Sequence, residues 1–203
     1  RFAIRTKRLG EDLTAGVELP EKLDGEQRYL THEQLHRLAL AAGRFRTLVF
    51  VLGFGGLRFG EASALTVGDV DLDGKKISVS KSATYVDGRG MVEGPTKGRT
   101  VRQVPVPAFL VELLRTEIGE RAQGERLFPG KADYLTVGEL RWVFDPAATA
   151  IDVEGLTPHE LRHTCASLAI RAGSNIKVVQ RLLGHKTASL TLDRYGHLYD
   201  DDL

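Results

Sequence analysis

Two short stretches of the sequence alternate apolar and polar residues with period two, Lys76-Ile77-Ser78-Val79-Ser80 and residues 101–106, and helical patterning lies on either side of them. Val70 and Leu72 lead into Asp73-Gly74, a hairpin-turn dipeptide, so these segments predict a small antiparallel sheet of three strands. The Gly-rich stretch between the last two strands is expected to be a long connection that carries Lys97 and Arg99. The fold class that follows is α+β, mainly α-helical, with one small three-stranded antiparallel sheet.

Helix punctuation divides the rest. Thr31 and Gln34 form a capping box ahead of Leu35, Leu38 and Leu40. A second apolar helix over 45–54 is broken by Gly53, Gly55 and Gly56, and Arg58 opens a shorter helical stretch over 58–65. Pro107 starts a helix with Phe109, Leu110, Leu113 and Leu114 on one face, and Gly119 stops it. Thr136 and Glu139 make another capping box, with Trp142 expected in the core and Pro146 expected to kink or end that helix. Thr157-Pro158-His159-Glu160 combines an N-cap, a first-turn proline and a capping-box Glu. The helix it opens buries Cys165 and ends at Gly173. Ser174 is expected to cap the next helix, which ends at Gly184, and Thr187 the last. Residues 1–30 carry no apolar period and include Gly10, Gly16, Pro20 and Gly25. They read as an interdomain linker or the N-terminal arm of a fragment, with residues 31–203 as one domain.

The longest uncharged stretch, 47–57, is too short for the roughly 20 residues of a spanning helix. The single cysteine rules out an internal disulfide framework and a four-cysteine zinc site, and suits a reducing compartment. The net charge of +1 argues against a nucleic-acid partner only on average. Residues 159–186 hold Arg162, Arg171, Lys177, Arg181 and Lys186 against one acid, Glu160, and a phosphate backbone meets one face of a protein at a time. Asp69, Asp71 and Asp73 superficially suggest a calcium run, but they sit at the Asp-Gly turn and lack the rest of such a loop.

His159-Glu160-Leu161-Arg162-His163 matches the HExxH pattern of zinc peptidases, in which two histidines one helical turn apart bind a metal and the Glu acts as base. Its context fails: Glu160 has a capping task, Arg162 sets a fixed positive charge between the would-be ligands, and no carboxylate follows until Asp193. The same face suits an anion, because His159 and Arg162 lie near a helix N-terminus whose free N–H groups favour phosphate. Leu182-Leu183-Gly184-His185 adds a second imidazole at a glycine corner, and Tyr195 stands ten residues beyond it.

From about residue 30 onward the chain resembles the tyrosine recombinase (phage integrase) family. HELRHT, LLGH and TLDRYGHL look like its C-terminal motifs, and GGLRFGEASAL ahead of DVDLDGKKI looks like its first arginine motif. TLDRYGHL is similar in style to integrases of actinobacterial, including mycobacterial, phages. The resemblance implies the helical catalytic domain of a tyrosine recombinase, with the N-terminal core-binding domain outside this chain. It implies a DNA breaking and rejoining activity in which Tyr195 attacks the scissile phosphorus, Arg58 and Arg162 clamp the non-bridging oxygens, and His159 takes the phenol proton. His185 would bond a phosphate oxygen, Lys97 would protonate the leaving 5′ oxygen, and Glu61 and His163 would orient the arginines and the imidazole.

Lys81, Arg99, Lys177, Arg181 and Lys186 are the expected DNA contacts. No metal or nucleotide cofactor is implied. The partners implied are double-stranded attachment or core sites, a homo-tetramer on DNA, a host DNA-bending protein and an excisionase, in the cytoplasm of a bacterial host at its nucleoid. The acidic Asp200-Asp201-Asp202 tail is expected to dock on a neighbouring subunit. Tyr199 is the rival nucleophile, and His197 and Tyr199 otherwise read as packing residues. Competing functions are a catalytically silent DNA-binding protein on the same scaffold, a type IB topoisomerase and, more remotely, the zinc peptidase.

Overall fold

The computed structural model describes residues 5–8, 10–11, 16–17, 28–96 and 101–199. Helix α1 (His32–Ala41) opens on the expected capping box, with Thr31 Oγ1 accepting from Gln34 N at 3.1 Å and the Gln34 side chain from Thr31 N at 2.9 Å. Helix α2 (Arg46–Gly55) is the hub of the domain. Nearly every residue from Thr47 to Gly55 is buried, which is how a helix apolar on all sides satisfies its surface. It packs on α1, on α4 (Ala108–Ile118) and on α6 (Glu160–Arg171). It ends at Gly56, whose φ of +63° is left-handed and whose N–H closes on Leu52 O. The short helix α3 (Phe59–Ala64) starts three residues later, with Arg58 at its N-cap.

The expected sheet is present: β1 (Val70–Asp71), β2 (Lys76–Val79) and β5 (Arg102–Pro105) pair antiparallel in the order β1-β2-β5, with Ile77 opposite Val70 on one side and Val104 on the other. The turn falls where expected but differs in form: Asp71 pairs with Lys76, so Asp73-Gly74 lies within a four-residue loop in which Asp71 Oδ1 accepts from Gly74 N at 2.7 Å and Lys75, at φ +50°, takes the left-handed conformation. The connection that follows β2 departs from expectation. Residues 81–95 form a second hairpin, β3 (Lys81–Val86) with β4 (Gly90–Pro95), packed along α3. A small pair, β6 (Pro129–Gly130) with β7 (Asp133–Tyr134), lies farther on. Arg126 joins the two hairpins: it meets Glu93 at 3.0 Å and Asp133 at 3.2 Å and stacks over the Tyr134 ring.

Helix α5 (Val137–Thr149) opens on the Thr136–Glu139 box but runs through Pro146 instead of ending there. Pro146 and Trp142, whose carbonyl loses its donor, both lie on the exposed face of the helix, where water can take that carbonyl. Trp142 is accordingly 82% exposed and not a core residue. Helix α6 begins at Glu160, whose carboxylate reaches back to Thr157 N at 2.6 Å. Asn175, not Ser174, caps α7 (Ile176–Leu183) by accepting from Lys177 N. Gly184 ends α7 at φ +64°, and Thr187 Oγ1 accepts from Leu190 N at the start of α8 (Ser189–Tyr195). One large apolar cluster runs from Leu30 to Leu168. A second and much smaller one joins Ala166, Ile170, Val179, Leu183 and Tyr195.

A Cβ placed on Gly56 would come within 2.8 Å of Leu183 Cδ2 and 3.0 Å of Cys165 Sγ, in a left-handed conformation that already disfavours side chains. Gly56→Ala is therefore expected to lower stability by about 2 kcal/mol from the backbone alone, measured by urea denaturation. A change within experimental error would show that this corner can relax.

Candidate active site

Three chain corners converge to build the site: the α2–α3 junction, the first turns of α6, and the α7–α8 junction. Each begins from local chemistry. The Gly55-Gly56 corner frees the Gly56 carbonyl and sets Arg58 at the N-cap of α3. The Glu61 carboxylate, one turn on, bonds Arg58 N at 2.8 Å and Arg58 Nη1 at 2.9 Å. Glu61 is fully buried, and Arg102 on β5 forks onto both its oxygens, Nη1 to Oε1 at 3.0 Å and Nη2 to Oε2 at 2.6 Å. Burial acts to raise the Glu61 pKa, but the bonds and charges of Arg102 and Arg58 outweigh it and hold the group below the ordinary glutamate value.

Arg162, one turn into α6, is 3% exposed. Among the described residues its hydrogen bonds go to neutral carbonyls, Nη1 to Gly56 O at 2.6 Å and Nη2 to Leu183 O at 2.5 Å. Burial first, and then the like charge of Arg58, pulls its pKa down to about 10, which still leaves it charged at pH 7. Arg58 is the more open cation, with 28% of its side chain exposed and the rest of its fork without a hydrogen bond among the described residues.

Tyr195 closes the site from α8 and is almost wholly buried at 1% exposure. Its hydroxyl lies 2.7 Å from His163 Nδ1 and not on His159. Burial pushes the phenol up to about 12 against the opposing pull of Arg162 and Arg194. His163 falls to about 4 through burial and then the neighbouring His159 and arginines. The His185 ring lies parallel to Tyr195 with centroids 6.5 Å apart, and its Nδ1 is 2.9 Å from Thr191 Oγ1. It too falls to about 4, through burial and then Arg162 and Arg58. His159 stands edge-on to His163 at 5.1 Å, is open to solvent along one side, and is lowered by packing and then by Arg162, Arg194 and Arg58.

The structure thus brings together Arg58, Glu61, His159, Arg162, His163, His185 and Tyr195. Lys97 and Arg99 lie outside the described residues, as does the Asp200–Asp202 tail. Lys81 is engaged by Asp69 at 3.5 Å. Lys177 and Arg181 are exposed one turn apart on α7, with Lys186 exposed just beyond. Tyr199 is turned away, its hydroxyl donating to Ser174 O at 3.0 Å. The HExxH geometry is spent elsewhere: Glu160 caps its helix and His163 Nδ1 is taken by Tyr195.

Two side chains were not anticipated. Arg194 acts electrostatically on Tyr195 and on all three imidazoles. Arg102 shares strand parity with the buried Val104 and Val106, and a charge on the inward face of an alternating strand was a readable signal. A groove of about 900 Å³ reaches Arg58 from the β3–β4 hairpin, but its walls are apolar, including Tyr85, Met91, Val92 and Val137.

Comparison with known proteins places this arrangement. The phage integrase family profile matches residues 28–202. The chain is 30% identical to the tyrosine recombinase XerC-like protein of Caldanaerobacter subterraneus subsp. tengcongensis, over 88% of this chain and 52% of that protein. It is 28% identical to the phiRv2 prophage integrase of Mycobacterium tuberculosis, over 75% and 42%. The Tn1549 transposon integrase, solved in complex with transposon right end DNA, superposes with a TM-score of 0.76 at 23% identity, over 86% of this chain and 63% of that one. The chain spans about half the length of the curated relatives it matches.

His163 and His185 have folded pKa values below their unfolded value of about 6.5, so the unfolded chain binds more protons between pH 6.5 and 4. Stability is complete above pH 6.5 and is lost as pH falls through that window. The expected slope is about 1.4 kcal/mol per pH unit for each imidazole that stays neutral when folded. Urea denaturation between pH 7 and 4.5 reads it, above the range where Glu61 contributes. A flat profile would mean that neither ring is held neutral.

Proposed function

The chain belongs to the phage integrase family, and from that premise we propose that residues 31–203 are the catalytic domain of a site-specific DNA recombinase that cleaves and rejoins strands through a 3′-phosphotyrosine. In this proposal residues 1–30 lead from a core-binding domain. The observation that carries the reading is Arg162, a buried guanidinium that among the described residues meets only backbone carbonyls. A cation out of water with no carboxylate of its own is a site made for an anion. Arg58 beside it, open on one side, supports a phosphate reached from the surface as that anion.

In the proposed reaction Tyr195 Oη bonds to the scissile phosphorus and the bond to the 5′ oxygen breaks, so the phosphodiester energy is kept in the protein–DNA link and the step can reverse. Arg58 and Arg162 meet the charge that builds on the non-bridging oxygens, and His185 hydrogen-bonds one of them. Tyr195 must first move outward, because a phenol at 1% exposure reaches no DNA. Leaving His163, it passes to the exposed His159, one turn away on the same helix, which takes its proton. Lys97 supplies the proton to the leaving oxygen. Lys177, Arg181 and Lys186 line a basic face for the DNA backbone, with Lys81 on β3 and Arg99 as further contacts. The assembly proposed is a tetramer on two attachment or core sites in the bacterial cytoplasm, at the nucleoid, with a DNA-bending protein and an excisionase as accessories and the acidic tail on a neighbouring subunit. The mechanism assigns no step to a metal.

The test uses the full-length protein and a nicked duplex carrying its core site, found by selection from a randomised pool. A covalent adduct is expected for wild type and Tyr199→Phe, with or without chelator, and none for Tyr195→Phe. Arg162→Ala should slow adduct formation by about 10²- to 10³-fold. Tight DNA binding by full-length wild type with no adduct would instead favour a silent binding protein. Binding by this chain alone should be weak and should fall steeply with salt, by roughly 0.9 log units per tenfold salt for each phosphate neutralised. Titration at several ionic strengths measures it.

A further inference from the structure

We propose that Arg102 is a positioning residue of the cleavage site, tying the Arg58 guanidinium, through Glu61, to the helix corner that presents His185. The inference rests on the recombinase reading and adds a residue to it. Four hydrogen bonds saturate the Glu61 carboxylate, two from Arg58 and two from Arg102. Neither arginine can shift without unpairing an oxygen that has no access to water. The third Arg102 bond runs the other way, Nε to Leu182 O at 3.0 Å, at the C-terminal end of α7. Arg162 takes the next carbonyl, that of Leu183. The two guanidiniums therefore occupy neighbouring orphan carbonyls of one helix end, where the backbone dipole favours cations.

Gly184 completes the seat. A Cβ there would lie 3.1 to 3.4 Å from Arg102 Cδ, Nη1 and Nε. His185 follows directly, so the side chain of Arg102 helps set the corner from which that imidazole projects. With 9% of its side chain exposed and its fork engaged on Glu61 and Leu182, Arg102 is not placed to take a DNA phosphate itself. Its effect has to travel through Arg58 and His185. A lysine could meet one Glu61 oxygen but could not fork across both while holding the Leu182 carbonyl.

A plain structural tie would make the same contacts, so the experiment compares two linkages at the scissile position of the nicked core-site duplex: the natural phosphodiester, and a methylphosphonate that lacks the negative charge Arg58 answers. Single-turnover cleavage and DNA affinity are measured in the full-length protein for wild type, Arg102→Lys, Arg102→Ala, Arg58→Ala and the Arg58→Ala/Arg102→Ala double variant. On phosphodiester, Arg102→Lys should cleave about 10-fold and Arg102→Ala about 100-fold more slowly, with DNA affinity within about threefold of wild type. On at least one methylphosphonate diastereomer both deficits should shrink to less than about threefold, and on phosphodiester the deficit of the double variant should fall well short of the product of the two single deficits, because part of the Arg102 effect runs through Arg58. Equal deficits on both linkages, multiplying deficits in the double variant, or wild-type rates would overturn the proposal and leave the recombinase reading standing. Should Arg102→Ala not fold, Arg102→Lys carries the comparison. Absence of an adduct from wild type would overturn the recombinase reading, and this inference with it.

Discussion

Arg162 is a guanidinium withdrawn from water that no carboxylate among the described residues meets, and much of the domain is arranged around that burden. Its two bonds reach carbonyls at the ends of two helices, Gly56 after α2 and Leu183 at the close of α7. Carbonyls at helix C-termini lack partners within the helix and carry the negative end of its dipole, so they serve as a diffuse counter-charge. Both corners turn on left-handed glycines, Gly56 and Gly184. The cation, the two glycine corners and the crossing of α6 over α2 therefore depend on one another. The carboxylate at hand among the described residues, Glu61, is already saturated by Arg58 and Arg102. Among the described residues, what remains is a net positive hollow.

The parts of the fold that were legible in the sequence are those fixed by local chemistry. Thr31 with Gln34 and Thr136 with Glu139 close the boxes their spacing announces, and Asp73-Gly74 with two alternating runs yields the three-stranded sheet. The second hairpin was hidden because Gly88, Gly90 and Gly94 dilute the alternation of residues 81–95. What positions it is long-range, its packing along α3 together with the tie of Arg126 to Glu93, and not a pattern along the chain. Pro146 and Trp142 misled for a shared reason. A helix face is solvent or core according to what packs against it, and on the solvent side a proline costs little while a tryptophan can stand exposed.

The site was legible as a set of residues and less so as a set of contacts. The strings around Arg58, Arg162, His185 and Tyr195 specify side chains that the fold gathers from segments more than a hundred residues apart. They do not say which imidazole the phenol rests on, because His159 and His163 occupy the same helix one turn apart and only the depth of Tyr195 separates them. Arg102 was missed for a related reason. Its strand reads correctly, but its two partners, Glu61 and Leu182, stand 41 and 80 residues away in sequence.

The depth of Tyr195 brings stability and reactivity into opposition. Buried against His163, the phenol is held protonated and out of reach, a resting arrangement. The apolar cluster that holds it there is small, joining Tyr195 to Ala166, Ile170, Val179 and Leu183, whereas the main core is built around α2 and does not include it. Segments with few buried apolar contacts open at a lower free-energy cost than the core. Helix α8 can thus release its tyrosine while Arg58, Glu61, Arg102 and Arg162 stay locked. A phosphate arriving between Arg58 and Arg162 would relieve the repulsion between those cations and set a negative charge where the phenol must go. In the proposed reaction, that separation of a rigid anion hole from a loosely held tyrosine would let binding and bond formation be successive events in one fold.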